Sequence, residues 1–397
     1  MKVLSLFSGI GAFEKAFSRL NIPFELIGFS EIDKYAVRSY CAIHNMDESK
    51  NLGDITKIDE TSLPKNIDLI TYGFPCQDIS LAGKQKGLFN DDGTQTRSGL
   101  FFEALRIIEA TKPRVAIAEN VKNLTSKKFA EQFKIVLESL EQAGYTNYYK
   151  VLNAKDYGIP QNRERVFIVS IRKDIDNGTF QFPEGLPLEL RLKDMLEDEV
   201  DEKYYLKDTK DFFIRNSFDM EQKGNGFRFE PHIKQNAEIA KTITTRAGGR
   251  MDDNFIIDID CELSKFKFDS KNPFLVVEGD KIFVREATKK GYAEAVVGDS
   301  INIEYPNSKT RRGRVGKQVI QTITTSPNQL VYANDLDVRK PTPLECFRLM
   351  GFSDEDFHKA EQVNSDCQLY KQAGNSIVVP VLEHITEALI ECGAIEI

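Results

Sequence analysis

The stretch Gly73-Phe74-Pro75-Cys76-Gln77-Asp78-Ile79-Ser80 places a thiol directly behind a proline, and that proline behind the apolar run Ile67-Asp68-Leu69-Ile70-Thr71-Tyr72. The run has the composition of a short buried strand. Proline fixes its own φ and holds the residue before it extended. Cys76 therefore sits on a stiff turn at the carboxyl edge of a sheet, where open α/β folds bind ligands. A cysteine is otherwise a small buried hydrophobe; this position argues for a reactive thiol. Glu119, in Glu119-Asn120-Val121, closes a second apolar run, Val115 to Ala118, and so falls in the same layer. Arg163 and Arg165, in Gln161-Asn162-Arg163-Glu164-Arg165, lead into a third run, Val166 to Ile171. Residues two apart in an extended segment share a face, although a strand-edge arginine also serves commonly as a surface ion pair.

A second cluster lies at the N-terminus. Lys2 to Phe7 reads as a strand, Ser8-Gly9-Ile10-Gly11-Ala12 as a tight glycine loop, and Phe13 to Leu20 as a helix with Phe13, Ala16, Phe17 and Leu20 at helical spacing. Glu25 to Phe29 reads as the next strand, ending at Glu31-Ile32-Asp33. A glycine turn between strand and helix, with an acid about 20 residues on, is the layout for a nucleoside cofactor in a doubly wound sheet. The glycines admit the cofactor to the backbone and the carboxylate takes ribose hydroxyls. The pattern is not Gly-x-Gly-x-x-Gly, so a dinucleotide is not the first choice. Asp54, in Gly53-Asp54-Ile55, is placed either to accept from an adenine amino group or simply to close a turn.

These groups need a frame. Leu100 to Ala110 and Phe129 to Ala143 read as helices, and Tyr148 to Leu152 as a strand before the turn Asp156-Tyr157-Gly158-Ile159-Pro160. Residues 80–98 are polar and punctuated by glycine, with Lys84, Lys86 and Arg97; a connection this long suggests a functional lid. Beyond about residue 173 the texture changes to turns, charge and short strand-like runs such as Phe255-Ile256-Ile257 and Lys281-Ile282-Phe283-Val284. Lys241-Thr242-Ile243-Thr244-Thr245 is echoed by Gln321-Thr322-Ile323-Thr324-Thr325; both suit strands whose ends bond phosphates or base edges. The segment reads as an inserted, mainly β, second domain. The chain then returns with a helix from Pro343 to Met350, a polar turn Gln372-Ala373-Gly374-Asn375-Ser376, and a closing element from Ile377 to Ile390.

With 397 residues the chain can build two domains and a full core. Six cysteines without a Cys-x-x-Cys pair, and four lone histidines, argue against a disulfide framework and against a metal centre. The N-terminus has no signal-peptide pattern and no apolar run approaches a membrane span, so a reducing cytoplasm is expected. A net charge of −8 speaks mildly against a nucleic-acid partner, but local patches bind phosphate. Lys309-Thr310-Arg311-Arg312-Gly313-Arg314-Val315-Gly316-Lys317 holds five cations and no acid, as a solvated loop or a phosphate track would.

Taken together the motifs resemble those of the DNA (cytosine-5)-methyltransferases. Phe7-Ser8-Gly9-Ile10-Gly11 resembles the family's cofactor loop, Gly73-Phe74-Pro75-Cys76-Gln77 its nucleophile motif, Glu119-Asn120-Val121 its acid motif and Gln161-Asn162-Arg163-Glu164-Arg165 its arginine motif. Pro341-Thr342-Pro343-Leu344-Glu345-Cys346 resembles the motif bordering the recognition domain, and Gln372-Ala373-Gly374-Asn375-Ser376 the motif completing the cofactor pocket. Six motifs stand in the family's order; residues 180–335 match no pattern, as its variable recognition domain would not.

The resemblance implies an α/β protein. A doubly wound, Rossmann-like S-adenosylmethionine-dependent methyltransferase domain would take residues 1–173 and 356–397, with a mainly β target-recognition domain, 174–355, inserted. It implies methyl transfer to C5 of a flipped-out cytosine in a short site of double-stranded DNA. Cys76 would add to C6, Glu119 would hold a proton against N3, and Arg165 would bond O2 and orient Glu119. Arg163 would be their structural partner. S-adenosylmethionine would lie against Phe7, Ser8, Gly9, Gly11, Glu31, Ile32, Asp54, Ile55, Pro75, Asn375 and Ser376; many relatives carry a large aromatic where this chain has Ile32. DNA would meet Gln77, Ser80, Lys84, Lys86 and Arg97, and in the inserted domain Thr244, Arg246, Arg311, Arg312, Arg314 and Thr324. No metal and no membrane are implied. A monomer is expected, with a cognate restriction endonuclease as its genetic companion. Two alternatives stand beside this: a tRNA methylase of the same family, and a catalytically silent DNA-binding regulator. The long insert favours duplex DNA, and intact Cys76, Glu119 and Arg165 argue against silence.

Overall fold

The computed structural model describes residues 1–79, 86–90, 92–205, 232–234, 237–245, 253–258, 275–278, 281–285, 292–295, 300–302, 314–316, 329–331 and 337–396. Ser80, Lys84, Arg246, Arg311, Arg312 and Thr324 lie outside these residues, as does most of the basic run 309–317; Arg314 falls on a short strand, Arg314–Gly316.

The chain begins with β1 (Lys2–Leu6), α1 (Ala12–Arg19), β2 (Glu25–Ser30) and α2 (Lys34–His44), followed by β3 (Leu69–Tyr72). Next come α3 (Phe101–Thr111), β4 (Val115–Val121), α4 (Ala130–Gln142), β5 (Tyr145–Asn153), a two-residue strand β6 (Gln161–Asn162) and β7 (Glu164–Arg172). Six strands form one sheet in the order β2-β1-β3-β4-β7-β5. The first four are parallel and β7 runs antiparallel to both of its neighbours. Parallel strands covered on both faces read as continuous apolar runs; Val3, Leu4, Leu69, Ile70, Val115, Ala116 and Ile117 are all fully buried. On one face the core combines Leu4, Ile70 and Ala116 with Phe101, Ala104, Ile107 and Ile108 of α3 and Val136 and Leu140 of α4. The carboxyl ends of β1–β4 and the start of β7 share one edge, the place where such sheets bind ligands.

The returning chain builds α5 (Pro343–Arg348), α6 (Asp354–Glu361), α7 (Asp366–Asn375) and α8 (Val379–Glu391). Thr342 opens α5 with a capping box: its hydroxyl accepts from Glu345 N (3.2 Å), its own N–H donates to Glu345 Oε2 (2.8 Å), and Pro343 takes the first turn. The motif bordering the insert is thus a helix start. The polar turn expected at 372–376 is instead the end of α7, with Asn375 as its last residue, exposed, and Ser376 as its buried C-cap.

The compact units differ from the expected division. One comprises residues 1–204, 208–255 and 340–397; the other comprises 205–207 and 256–339. Described residues of segments 174–204, 237–245 and 340–355 are hydrogen-bonded into the first unit. Leu186 N donates to Asp156 O (2.8 Å), Ala240 N to Pro160 O (2.8 Å), and Glu197 N to Glu345 Oε1 (2.9 Å). The described strands of the second unit pair antiparallel. Ile256–Asp258 pairs with Asp337–Arg339, Leu275–Glu278, Lys281–Arg285 and Tyr292–Ala295 form a meander, and Ser300–Asn302 lies between Arg314–Gly316 and Gln329–Val331. Among the described residues, no helix is long and apolar enough to cross a membrane and no cluster of metal-ligating side chains occurs.

Lys15 of α1 reaches Asp356 of α6 at 2.5 Å, with side chains 16% and 3% exposed, which ties the two ends of the chain together. Removing one partner of a mostly buried pair strands the other charge, so Lys15→Ala should lower the unfolding free energy by about 3 kcal/mol. A urea midpoint that scarcely moves would show that the pair does not hold these helices together.

Candidate active site

Cys76 is half-buried just beyond the end of β3. Its turn is held from the next strand: Asn120 Nδ2, fully buried, donates to Phe74 O at 3.0 Å. Asn123 Nδ2 donates to Ile79 O at 2.6 Å, fixing the far side of the turn. Alternation along β4 sends Asn120 to one face and Glu119 to the other. Glu119 therefore lies within β4 rather than just past it. In the β4–β7 ladder Glu119 faces Phe167 and Val121 faces Arg165. Glu119 and Arg165 are thus diagonal neighbours on one face, and Arg165 Nε meets Glu119 Oε1 at 3.0 Å.

The charges shape one another. Burial drives the Glu119 carboxyl up, against the pull of Arg165 and then Arg163. Burial also pushes the Cys76 thiol up; the Glu119 charge adds to this, and the two arginines oppose it. The two arginines, expected on one face, make different contacts because the strand breaks between β6 and β7 at Arg163. The Arg163 guanidinium is buried and donates to three carbonyls: Ile243 O (3.1 Å), Gly374 O (2.9 Å) and Ser376 O (2.7 Å). Burial, and then the Arg165 charge, pull it down to about 9.

A cavity runs from the loop after β1 to this acid. Ser5, Leu6, Phe7, Ser8, Gly9, Ala12, Phe13, Thr71, Gly73, Glu119, Asn375, Ser376 and Ile377 line it. The loop is held open by strained backbone: Phe7 has φ 53° and Gly9 φ 57°, a left-handed region that a bulky residue enters at a cost. Ser8 N donates to Ser30 O (3.1 Å) and Gly11 N to Ser8 O (3.0 Å), which fixes that shape. Glu31 closes the loop from β2: its carboxylate accepts from Gly9 N (3.0 Å) and Asp33 N (2.8 Å), and burial raises its pKa. Beside it Ile32 is 77% exposed, an apolar side chain offered to solvent next to a polar loop.

Five expected cofactor residues, Phe7, Ser8, Gly9, Asn375 and Ser376, thus meet in one cavity with Glu119, and Glu31 joins them through Gly9. Others stand apart from its lining. Gly11 has φ 79°, and a Cβ there would strike the His44 and Tyr40 rings, so packing alone already requires a glycine. Asp54 caps a turn, accepting from Thr56 N (3.0 Å) and Thr56 Oγ1 (2.8 Å), which lowers its pKa. Ile55 is buried in the core. Pro75 is half-buried beside Cys76. Gln77, Lys86 and Arg97 are exposed on the segment beyond the cysteine. Thr244 is half-buried and donates to Asp253 Oδ1 at 3.1 Å. Asn120 and Gln161 are not among the expected site residues; for Asn120 the available signal is an amide inside an otherwise apolar strand.

The chain belongs to the family described as C-5 cytosine-specific DNA methylase, whose model matches residues 1–391. It is 35% identical to the orphan methyltransferase M.SPRI of Bacillus phage SPR, over 98% of this chain and 97% of that one. It is 33% identical to the type II methyltransferase M2.ScrFI of Lactococcus lactis subsp. cremoris, over 98% and 99%. In fold it is similar to the S. pombe Dnmt2 methyltransferase, with TM-score 0.61 at 20% identity over 98% of both chains. The fold is the Rossmann-like α/β architecture of these methyltransferases, and the protein is a DNA cytosine-5 methyltransferase.

Because Glu119 charge disfavours the Cys76 thiolate, Glu119→Gln should move the pH midpoint of Cys76 alkylation by iodoacetamide downward. Peptide mapping separates Cys76 from the other cysteines. An unmoved or raised midpoint would mean that the acid and the thiol do not sense each other.

Proposed function

We propose that the protein methylates C5 of a flipped-out cytosine in a short specific site of duplex DNA, with S-adenosylmethionine as donor, through a covalent Cys76–C6 adduct. One observation carries this reading: a single cavity joins the glycine loop Phe7–Gly9 and the Asn375–Ser376 turn to Glu119. The donor pocket and the reacting acid therefore open into the same space.

The residues present fit that donor. Backbone at Phe7 to Gly9 is open for close approach, Glu31 sits where ribose hydroxyls would be taken, and exposed Ile32 supplies an apolar surface for a base. When bound, S-adenosylmethionine supplies an electrophilic sulfonium methyl, which cytosine C5 lacks the nucleophilicity to attack unaided.

The chain's own residues provide that nucleophilicity. The Cys76 thiolate adds to C6, forming the S–C6 bond and sending the ring electrons to N3. Glu119, whose hold on a proton burial strengthens, gives a proton to N3, so the ring never carries a full negative charge. C5 is then the carbon of an enamine. Arg165 holds Glu119 in orientation and presents its remaining N–H groups to O2 of the base. After methyl transfer the C5 proton leaves to water, C5=C6 re-forms, Cys76 departs as thiolate and N3 returns its proton to Glu119. C5 and C6 lie inside the stack of a duplex, so the base must leave it, at a cost of a few kcal/mol. Gln77 and the cations Lys86 and Arg97, exposed beyond the thiol in sequence, would meet the displaced nucleotide and its phosphates.

Expression in cells lacking cytosine methylation, followed by methylation-sensitive sequencing, should reveal 5-methylcytosine at one short motif. Cys76→Ala should abolish it, and Cys76→Ser should abolish turnover while retaining DNA binding. Full methylation by either variant would refute the covalent mechanism; a wild type that methylates tRNA and not DNA would refute the substrate.

A further inference from the structure

Arg163 carries no carboxylate partner among its described hydrogen bonds, yet it is 3% exposed. Its three carbonyl acceptors come from two segments remote from it and from each other in sequence. Ile243 belongs to a stretch within the expected recognition region; Gly374 and Ser376 flank Asn375 in the cavity wall. A guanidinium is a planar fork with fixed donor directions. It meets all three carbonyls only when both segments hold one relative position, and a buried donor left without an acceptor is costly.

The contacts around it reinforce this lock. Gln161–Asn162 pairs in parallel with Ala240–Lys241. The Gln161 side chain accepts from Ile243 N (3.0 Å) and donates to Leu349 O (2.6 Å), and Thr242 Oγ1 donates to Asn162 O (2.7 Å). From the other side the Asn254 amide brackets Lys241, accepting from its N–H (2.8 Å) and donating to its carbonyl (3.0 Å). Gly374 lies so close that a Cβ would come 2.5–2.7 Å from the Thr244–Thr245 backbone. The 240–245 segment is thus pressed directly against the turn that walls the cavity, with Arg163 riveting the junction.

We propose that Arg163 is a positioning residue that locks the 240–245 segment to the Gly374–Ser376 turn, so that duplex binding at that segment and donor binding in the cavity strengthen each other. This rests on the reading above of S-adenosylmethionine as donor and of Thr244 as a residue on the DNA side. Any contact that fixes 240–245 fixes Ile243 O. That holds the Arg163 fork on Gly374 O and Ser376 O and so presets Asn375 and Ser376 for the donor. Coupling between binding sites is reciprocal, so the donor must strengthen duplex binding by the same factor.

The test measures the Kd of S-adenosylhomocysteine by calorimetry on the full chain, with and without sheared genomic DNA free of cytosine methylation. The wild type should bind the probe about 5-fold or more tightly with DNA present. Arg163→Lys keeps the charge but loses the fork; it should weaken probe binding by roughly tenfold and abolish the effect of DNA. Gly374→Ala, which pries the two backbones apart, and Thr242→Val, which deletes one hydroxyl bond at the junction, should shrink the DNA effect in that order. Thr242→Val guards against the harsher variants failing to fold, as checked by thermal unfolding. A wild type that binds the probe equally with and without DNA overturns the proposal, as do folded variants that keep the full effect. A wild type that does not bind the probe at all overturns the donor assignment itself, a different result from lost coupling.

Discussion

The site depends on one buried ion pair, Glu119 with Arg165. Neither residue is near the other in sequence; the antiparallel register of β4 on β7 makes them diagonal neighbours. A slip of one residue would turn either side chain to the opposite face, so the sheet core that sets this register also sets the chemistry. Buried charges are kept only where geometry and partners repay desolvation. Here the repayment is incomplete: burial outweighs Arg165 and Arg163 in setting the acid's affinity for its proton. The carboxyl is thereby biased toward the form that can give a proton to a ring nitrogen.

β4 does a second task with the same alternation. Asn120, next to Glu119 and on the other face, holds the carbonyl of Phe74 and with it the Pro-Cys turn at the end of β3. A thiol on a free loop would lose orientation entropy each time it met a substrate; anchored to the neighbouring strand it does not. One strand therefore presents the acid directly and fixes the thiol indirectly, which accounts for a buried amide in an apolar segment.

What the sequence made legible follows from how local each signal is. The strand before Cys76, the glycine loop, the acid at Glu31 and the alternation of strands with helices are short-range patterns, and the sheet realises them within a few residues of their expected ends. Gly11 and Asp54 show where local signals are ambiguous: each residue type suits both a ligand site and a structural post, and each has a structural neighbour here, the rings of Tyr40 and His44 at Gly11 and the amide of Thr56 at Asp54. The division between Arg163 and Arg165 was beyond sequence spacing, since it depends on a break between two strands and on carbonyls about 80 and 210 residues away. The extent of the first unit was hidden for the same reason. Segments 237–255 and 340–355 look like parts of the insert in composition but are claimed by hydrogen bonds to Pro160, Gln161 and the 192–197 stretch.

The two arginines leave the site with an electrostatic surplus that bears on the proposed reaction. Whenever Glu119 takes up a proton, Arg165 and Arg163 become two cations facing one neutral acid. Arg163 is bound to carbonyls, whose dipoles orient it without cancelling its charge, and although burial draws it down to about 9 it is still a cation near neutrality. A thiolate at Cys76 and the charge developing on an attacked cytosine both gain from that surplus, because fixed charges act strongly where side chains are as shielded as those of Arg165 and Glu119. Burial alone would make Cys76 a sluggish thiol; the adjacent cations oppose that penalty. A base entering the cavity to bond with Arg165 and Glu119 would occupy the carboxyl that otherwise raises the thiol. The nucleophile would then be most reactive when the ring it must attack is in place.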